Sequence, residues 1–230
     1  SQRATASYVS FGPMQRELGE GGRLKAVTNG KNTVSFFKHL LGRQFKDADV
    51  QATLAMGKYR PVEMPDGTVG FTCAVQGEDQ VFSVVQITGM LLGQLRRIAI
   101  PELGGGKVSD CVIGVPCSFT DGQRTAMLAA AKCAGLNCLK LINETTATAL
   151  AYGIYKQDLP VEGDKPRRVV FANYGHSVFQ LCVADFIKGK LIVKATATGA
   201  VGGRDFDRVL FEHIADEFKE KYKIDVRANA

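Results

Sequence analysis

The sequence has no apolar run long enough to cross a bilayer. Its opening Ser1-Gln2-Arg3-Ala4-Thr5 lacks the charged-then-apolar pattern of a secretory leader, which points to a cytoplasmic protein without a membrane partner. The chain does not open on methionine and is expected to be a segment of something longer. It has six cysteines and only three histidines, with no C-x-x-C pair, which argues against a structural zinc site or a disulfide framework. Cys73, Cys111, Cys117, Cys133, Cys138 and Cys182 each stand singly among apolar or small residues and read as buried, reduced thiols. The formal charge is +6, yet the basic residues do not cluster. The densest stretch, Lys219 to Lys223, alternates with Glu220 and Tyr222 and reads as a solvated helix face, so no nucleic-acid partner is expected. There is no internal repeat and no low-complexity tract.

What is present is the alternation of an α/β protein. Asp110 to Pro116 is a short apolar run ended by proline, expected as a strand buried on both faces. Thr120 and Gln123 form a capping-box pair ahead of Met127, Ala130, Ala131 and Ala134 at helical spacing, with Gly135 as the stop. Cys138 to Ile142 reads as a second buried strand, and Asn143 to Thr146 leads into a small-residue helix ending at Gly153. The polar stretch 156–168, with Pro160, Gly163 and Pro166, is the expected boundary. Beyond it, Val169 to Phe171 and Val178 to Phe186 are strands around a tight turn at Tyr174-Gly175-His176, and Lys190 to Thr198 is a third. From Asp205 to Tyr222, a helix places Phe206, Val209, Leu210, Ile214, Phe218 and Tyr222 on one face. In the less legible first hundred residues, the pattern predicts a helix over Asn32 to Gly42 and another from Ser83 to Ile98. Short strands between Tyr59 and Phe82 flank a turn at Pro65-Asp66-Gly67.

Two glycine turns are candidates for holding phosphate. Gly175-His176-Ser177 joins two strands and can aim backbone N–H groups at an anion, although a plain hairpin explains it equally. Gly202-Gly203 stands between a strand and a helix, where a phosphate would meet the positive helix end, or where the chain merely needs a flexible entry. Glu144 follows a strand directly and opens a helix, the position where open α/β sheets place ligands, and also one that suits the helix dipole. Lys38, within an apolar segment, can reach a phosphate or extend to water.

The run Val112 to Arg124, with Ala134 to Asn137, Ile142 to Ala147 and Ala151 to Gly153, closely resembles the ATPase domain of the seventy-kilodalton heat-shock chaperones. Tyr152 to Pro160, Gly175-His176-Ser177 and Gly202 to Asp207 are similar to the hundred-and-ten-kilodalton branch of that family. The resemblance covers nearly the whole chain. It implies an actin-like, ribonuclease H-like two-lobed ATPase fold, truncated at both ends, that binds ATP or ADP with magnesium in the intact domain. Residues 1–155 would form most of lobe I without the family's first phosphate hairpin, 156–168 a connecting segment, and 169–230 the beginning of lobe II. By motif, Lys38 and Glu144 resemble the catalytic pair. Asn173, Tyr174, Gly175, His176, Ser177 and Val178 match the second phosphate hairpin, and Gly202 and Gly203 the glycine pair beside the phosphates. Pro116 and Arg124 match an interdomain relay.

Asn173 stands where the family carries an aspartate serving the metal and its waters, and hard cations prefer charged oxygen. Glu144 and Asn173 would thus lie near a hydrated magnesium without ligating it directly. Val178 replaces a hydroxyl, and His39 follows the lysine where arginine is usual. The resemblance therefore implies a co-chaperone that promotes nucleotide exchange on a seventy-kilodalton chaperone and holds unfolded clients. Hydrolysis is expected to be weak at most, and this segment inactive alone. An active chaperone ATPase and an interaction scaffold without nucleotide are the alternatives. The cut is expected to bare a sheet edge and promote self-association.

Overall fold

The computed structural model describes residues 4–229. In chain order the strands and helices are β1 (Val9–Phe11), β2 (Arg16–Leu18), α1 (Glu20–Lys25), β3 (Thr33–Val34), α2 (Phe37–Leu40), α3 (Ala48–Leu54), β4 (Arg60–Glu63), β5 (Val69–Val75), β6 (Glu78–Ser83) and α4 (Val84–Glu102). There follow β7 (Asp110–Val115), α5 (Asp121–Cys133), β8 (Asn137–Asn143), α6 (Glu144–Tyr155), β9 (Arg167–Tyr174), β10 (Phe179–Ile187), β11 (Lys190–Gly199) and α7 (Gly203–Tyr222). The sheets run β2-β1-β3, β4-β5-β6, β7-β8 and β11-β10-β9, so the chain is mixed α/β with several small sheets.

These elements form two compact units. One holds the residues up to Ile113 with Phe119–Lys140, the other Gly114–Ser118 with Leu141 onward. The segment 156–168 lies within the second unit, where Arg167 bonds Asp158 and the Lys188 amide donates to Pro160.

In the first unit, Val9, Val34, Leu41, Phe71 and Ile87 are fully buried, and the rings of Phe11 and Phe82 stack at 4.7 Å. The strands around Pro65-Asp66-Gly67 form as expected, with Gly67 at φ 77°. The expected capping box of Thr120 with Gln123 is present, and the structure adds a second, Ser83 with Gln86. The helix that Ser83 opens runs on to Glu102, past the expected end at Ile98.

The helix expected over Asn32 to Gly42 is a correction. That stretch holds β3, Phe36 at φ 57°, and only the four-residue α2. Apolar residues there face the core from an irregular path, and composition alone does not separate that from a helix. Gly42 at φ 68° ends the segment where a Cβ would lie 2.7 Å from the Gln123 Cα, so the chain presses on the start of α5.

The second unit is built on the antiparallel β9–β10–β11 meander. Its core is Ala149, Cys182, Ala184 and Phe186, with Tyr152 and Phe171 edge-on to Phe186. Gly153 does not stop α6, which continues to Tyr155. It is needed because a Cβ there would meet the Phe186 ring at 3.0 Å. Arg168 donates two hydrogen bonds to Asp185, its cross-strand partner, and holds that carboxyl below the usual range. A depressed folded pKa contributes stability above the unfolded value and loses it as pH falls through the folded one. Asp185→Asn should therefore flatten the acid limb of the pH–stability curve, read by thermal unfolding from neutral to acid pH. An unchanged acid limb would remove this pair from the account.

Two expectations about burial need correction. In β7 and β8, each paired only with the other among the described residues, Val112 is 57% and Leu139 65% exposed. A two-stranded sheet has too few neighbours to cover both faces. The thiols are also not uniformly buried: Cys73 and Cys182 are, while Cys133 is exposed. Burial pushes the Cys73 thiol up to about 12, and only thiolate alkylates. Iodoacetamide at mildly alkaline pH is expected to label Cys133 first and Cys73 only on unfolding. Early labelling of Cys73, seen by peptide mass mapping, would contradict this placement.

Helix α7 forms as expected, but among its described residues only Ala215 is buried. Its stripe of Phe206, Val209, Leu210 and Ile214 is exposed. Contiguous apolar surface of this kind drives association. Light scattering should show mass rising with concentration, and Leu210→Glu should suppress the rise. A strict monomer at high concentration would be the contrary result.

Candidate functional site

The second unit brings Pro116, Glu144, the 174–178 hairpin and Gly202-Gly203 into one local structure, whereas Lys38 and Arg124 belong to the first unit. Strand β10 sets the site's floor. Its buried register is Gln180, Cys182, Ala184 and Phe186, one polar residue followed by three apolar ones. Successive strand residues alternate faces, so Gln180 is turned to the same side as the core. A buried amide needs partners, and Gln180 has two. Its Nε2 donates to Glu144 Oε2 at 2.6 Å, and its Oε1 accepts from the Cys117 N–H at 3.3 Å.

The amide thus ties the first residue of α6 to the segment carrying the buried Pro116. Gly114 lies beside Glu144: a Cβ there would stand 3.5 Å from the Glu144 Cγ, an ordinary contact. Asn173 is the cross-strand partner of Gln180 in β9, and directly opposed residues share a face. The candidate carboxylate, its amide support and the asparagine therefore occupy one corner.

The hairpin and α7 make the second half of the site. Between β9 and β10 the loop 175–178 closes by a bond from the Gly175 N–H to the Val178 carbonyl at 3.0 Å. Its outward carbonyls cap α7: Gly203 N–H donates to Gly175 at 3.0 Å, and Arg204 N–H to His176 at 2.8 Å. The Gly202 N–H donates to Asp205 Oδ2 at 2.8 Å. The orphan amides that begin any helix are thus engaged inside the protein, and the hairpin lies on the positive end of a twenty-residue helix. A ring contact of Tyr174 with Phe206, at 5.9 Å, adds a second tie.

The junction is close enough to dictate sequence. A Cβ on Gly202 would stand 2.4 Å from the backbone of His176 and Ser177, while one on Gly203 would meet nothing nearer than 3.9 Å. Ser177 is buried and His176 exposed. In the first unit, Lys38 is half-buried in α2 directly after the left-handed Phe36. Arg124 in α5 donates through Nε to the Phe119 carbonyl at 3.0 Å.

Gln180 and Asp205 were not among the candidates. Gln180 was detectable as the lone polar residue on the core register of an apolar strand. Asp205 was detectable as an acid three residues after a helix-opening glycine. Among the described residues no group of three or more His, Cys, Asp or Glu could hold a metal, and no helix is long and apolar enough to cross a membrane.

The family profile described as Hsp70 protein matches residues 1–230. Heat shock 70 kDa protein 4 of Homo sapiens is 46% identical over 229 residues, 99% of this chain and 27% of that protein. Heat shock 70 kDa protein 4L of Homo sapiens is 47% identical over 231 residues, 100% of this chain and 27% of that protein. The 97 kDa heat shock protein of Strongylocentrotus purpuratus is 48% identical over 230 residues, 100% of this chain and 26% of that protein. The chain thus spans about a quarter of the length of the curated relatives it matches.

Proposed function

This chain belongs to the Hsp70 family, and on that premise we propose that it is part of a chaperone ATPase domain that holds the phosphate end of ATP or ADP. The observation that carries the reading is the junction of the 175–178 hairpin with the start of α7, beside the Glu144–Gln180 pair. The α7 amides are spent on the hairpin, so the helix acts on phosphate through its dipole and by fixing the hairpin. Contact with phosphate falls to the hairpin backbone of Gly175, His176, Ser177 and Val178, with Tyr174 bracing it and Gly203 beside it. Lys38 is the proposed cation toward the terminal phosphate, and Glu144 the base that orients the attacking water. Pro116 and Arg124 are the proposed relay. In the two-lobed, actin-like reading, residues to 155 belong to lobe I, 156–168 connect, and 169–230 begin lobe II.

Magnesium fits this corner only through its water shell. The corner offers one carboxylate, already bonded to Gln180, and the neutral amide of Asn173, whereas the ion prefers charged oxygen and keeps several waters. Bound with the nucleotide, it would neutralise phosphate charge, with Glu144 and Asn173 receiving its waters. Glu144 is kept in place by a buried amide, so water orientation survives. The missing charge at 173 limits hydrolysis, which favours slow turnover.

For the whole polypeptide we propose a cytoplasmic co-chaperone. It would bind nucleotide, promote exchange on a seventy-kilodalton chaperone, and hold unfolded clients. The six free thiols agree with a reducing compartment. Single-turnover hydrolysis by the full-length protein tests the reading. Asn173→Asp should speed it on the order of tenfold, equivalent to about 1.4 kcal/mol of barrier. An unchanged rate would show that the charge at 173 does not limit the reaction.

A further inference from the structure

An open groove of the first unit, about 1000 Å³, lies between β2, α4 and the end of α5, apart from the residues assigned to nucleotide. One face of α4 forms its floor. Gly89, Gly93, Arg96 and Ile100 recur at helical spacing, with Met90 and Arg97 along one edge. A Cβ on Gly93 would meet nothing within 4 Å, so the floor there is open backbone. Arg16 and Leu18 of β2 make the opposite wall.

Three guanidinium groups therefore line one trough, and none of its described lining residues is acidic. Arg96 is held rigid: Nε donates to the Val108 carbonyl at 2.8 Å, and Nη1 approaches the Ala134 carbonyl at 3.5 Å. Its charge is thus anchored by neutral acceptors. Arg16 and Arg97 are exposed and form no ion pair among the described residues. Arg23, Arg43, Arg60, Arg167, Arg168, Arg208 and Arg227, by contrast, each pair with a carboxylate. Three uncompensated arginines on one trough create a positive field that a partner of opposite charge relieves.

We infer that this groove binds an acidic peptide segment carrying apolar side chains. The volume is large for a small-molecule site, and the shape is an open trough rather than a closed cleft. From Gly89 to Ile100 the floor runs about 16 Å at the helical rise per residue, enough for roughly five residues of extended chain. Leu18, Met90 and Ile100 supply apolar contacts between the cations. A bare polyanion would leave those unused. Arginine also matches carboxylate pairwise, in a planar fork.

Fluorescence anisotropy with a fluorescein-labelled Glu-Leu-Asp-Glu-Leu-Asp-Glu peptide tests the inference, on the nucleotide-free full-length protein so that the outcome is independent of the ATP site. Arg16→Glu and Arg97→Glu are the variants, because both side chains are exposed. Arg96 is left intact because it fastens two carbonyls. Circular dichroism confirms that each variant keeps its fold. Each reversal should weaken binding on the order of tenfold or more, increasingly so at low salt. Replacing both leucines of the probe by serine should weaken it as well. Wild-type affinity in both arginine variants, or no binding to the wild-type protein, would overturn the inference. So would equal binding of the serine probe together with displacement by inorganic tripolyphosphate, which would mark a plain polyanion surface.

Discussion

Gly202→Ala is expected to unseat the 175–178 hairpin, whereas Gly203→Ala, one residue on, is expected to leave it in place. The φ of Gly202 is −162°, which any residue adopts, so the requirement is space and not backbone freedom. A Cβ there falls 2.4 Å from the His176 carbonyl carbon and oxygen and from the Ser177 nitrogen. These are backbone atoms of a closed hairpin and have no rotamer by which to yield. The loop must move off α7, and the bonds from Gly203 to Gly175 and from Arg204 to His176 lengthen together. Overpacking of this kind costs about 1–3 kcal/mol, a fall in Tm of roughly 2–4 °C per kcal/mol for a chain of this size. At Gly203 the nearest atom is 3.9 Å away, an ordinary contact. Thermal unfolding should separate the two variants, and ATP binding by the full-length protein should be lost in the first and kept in the second. Equal behaviour would mean that the junction does not shape the site.

Gln180→Leu should be the second severe change. The side chain is 2% exposed and bridges a carboxylate to a backbone amide. Leucine fills most of the space and leaves both groups without this partner. A buried polar group deprived of its partner costs about 1–3 kcal/mol, and bonds to a charged group stand at the upper end of the range. Glu144 also loses the contact that fixes its rotamer at the head of α6, so hydrolysis should fall along with Tm. Gln180→Glu keeps the shape but sets two carboxylates together, and should be worse at neutral pH than in mild acid, where one of them protonates. If Gln180→Leu left both Tm and turnover unchanged, Glu144 would owe its position to other contacts.

How much of this was legible in the sequence depended on whether the signal was local. The capping box at Thr120, the helix start at Ser83, the turn at Gly67 and the three-stranded meander after residue 166 are written in neighbouring residues. They formed as read. Gly153 misled because a glycine that admits the Phe186 ring looks, along the chain, like one that ends a helix. The segment around Lys38 misled because apolar density was read as period, while the chain bends at Phe36 and again at Gly42 against α5. At the site, the glycines and Glu144 were visible as types. Their relationships were not: that the hairpin carbonyls consume the α7 amides, or that Gln180 reaches Glu144, follows from strands packed across distances no motif records. Exposure was the least legible property. Apolar periodicity places α7's stripe on one face without saying what, if anything, covers it.

Calorimetric titration with ATP–Mg²⁺ and with ADP, on this chain and on the full-length protein, tests the central claim most directly. The expected result is saturable binding by the full-length protein, abolished by Gly202→Ala and retained by Gly203→Ala, with weak or no binding by the isolated chain. Absence of binding by the full-length protein would contradict the nucleotide reading and leave the hairpin–helix junction as a structural joint in an interaction scaffold.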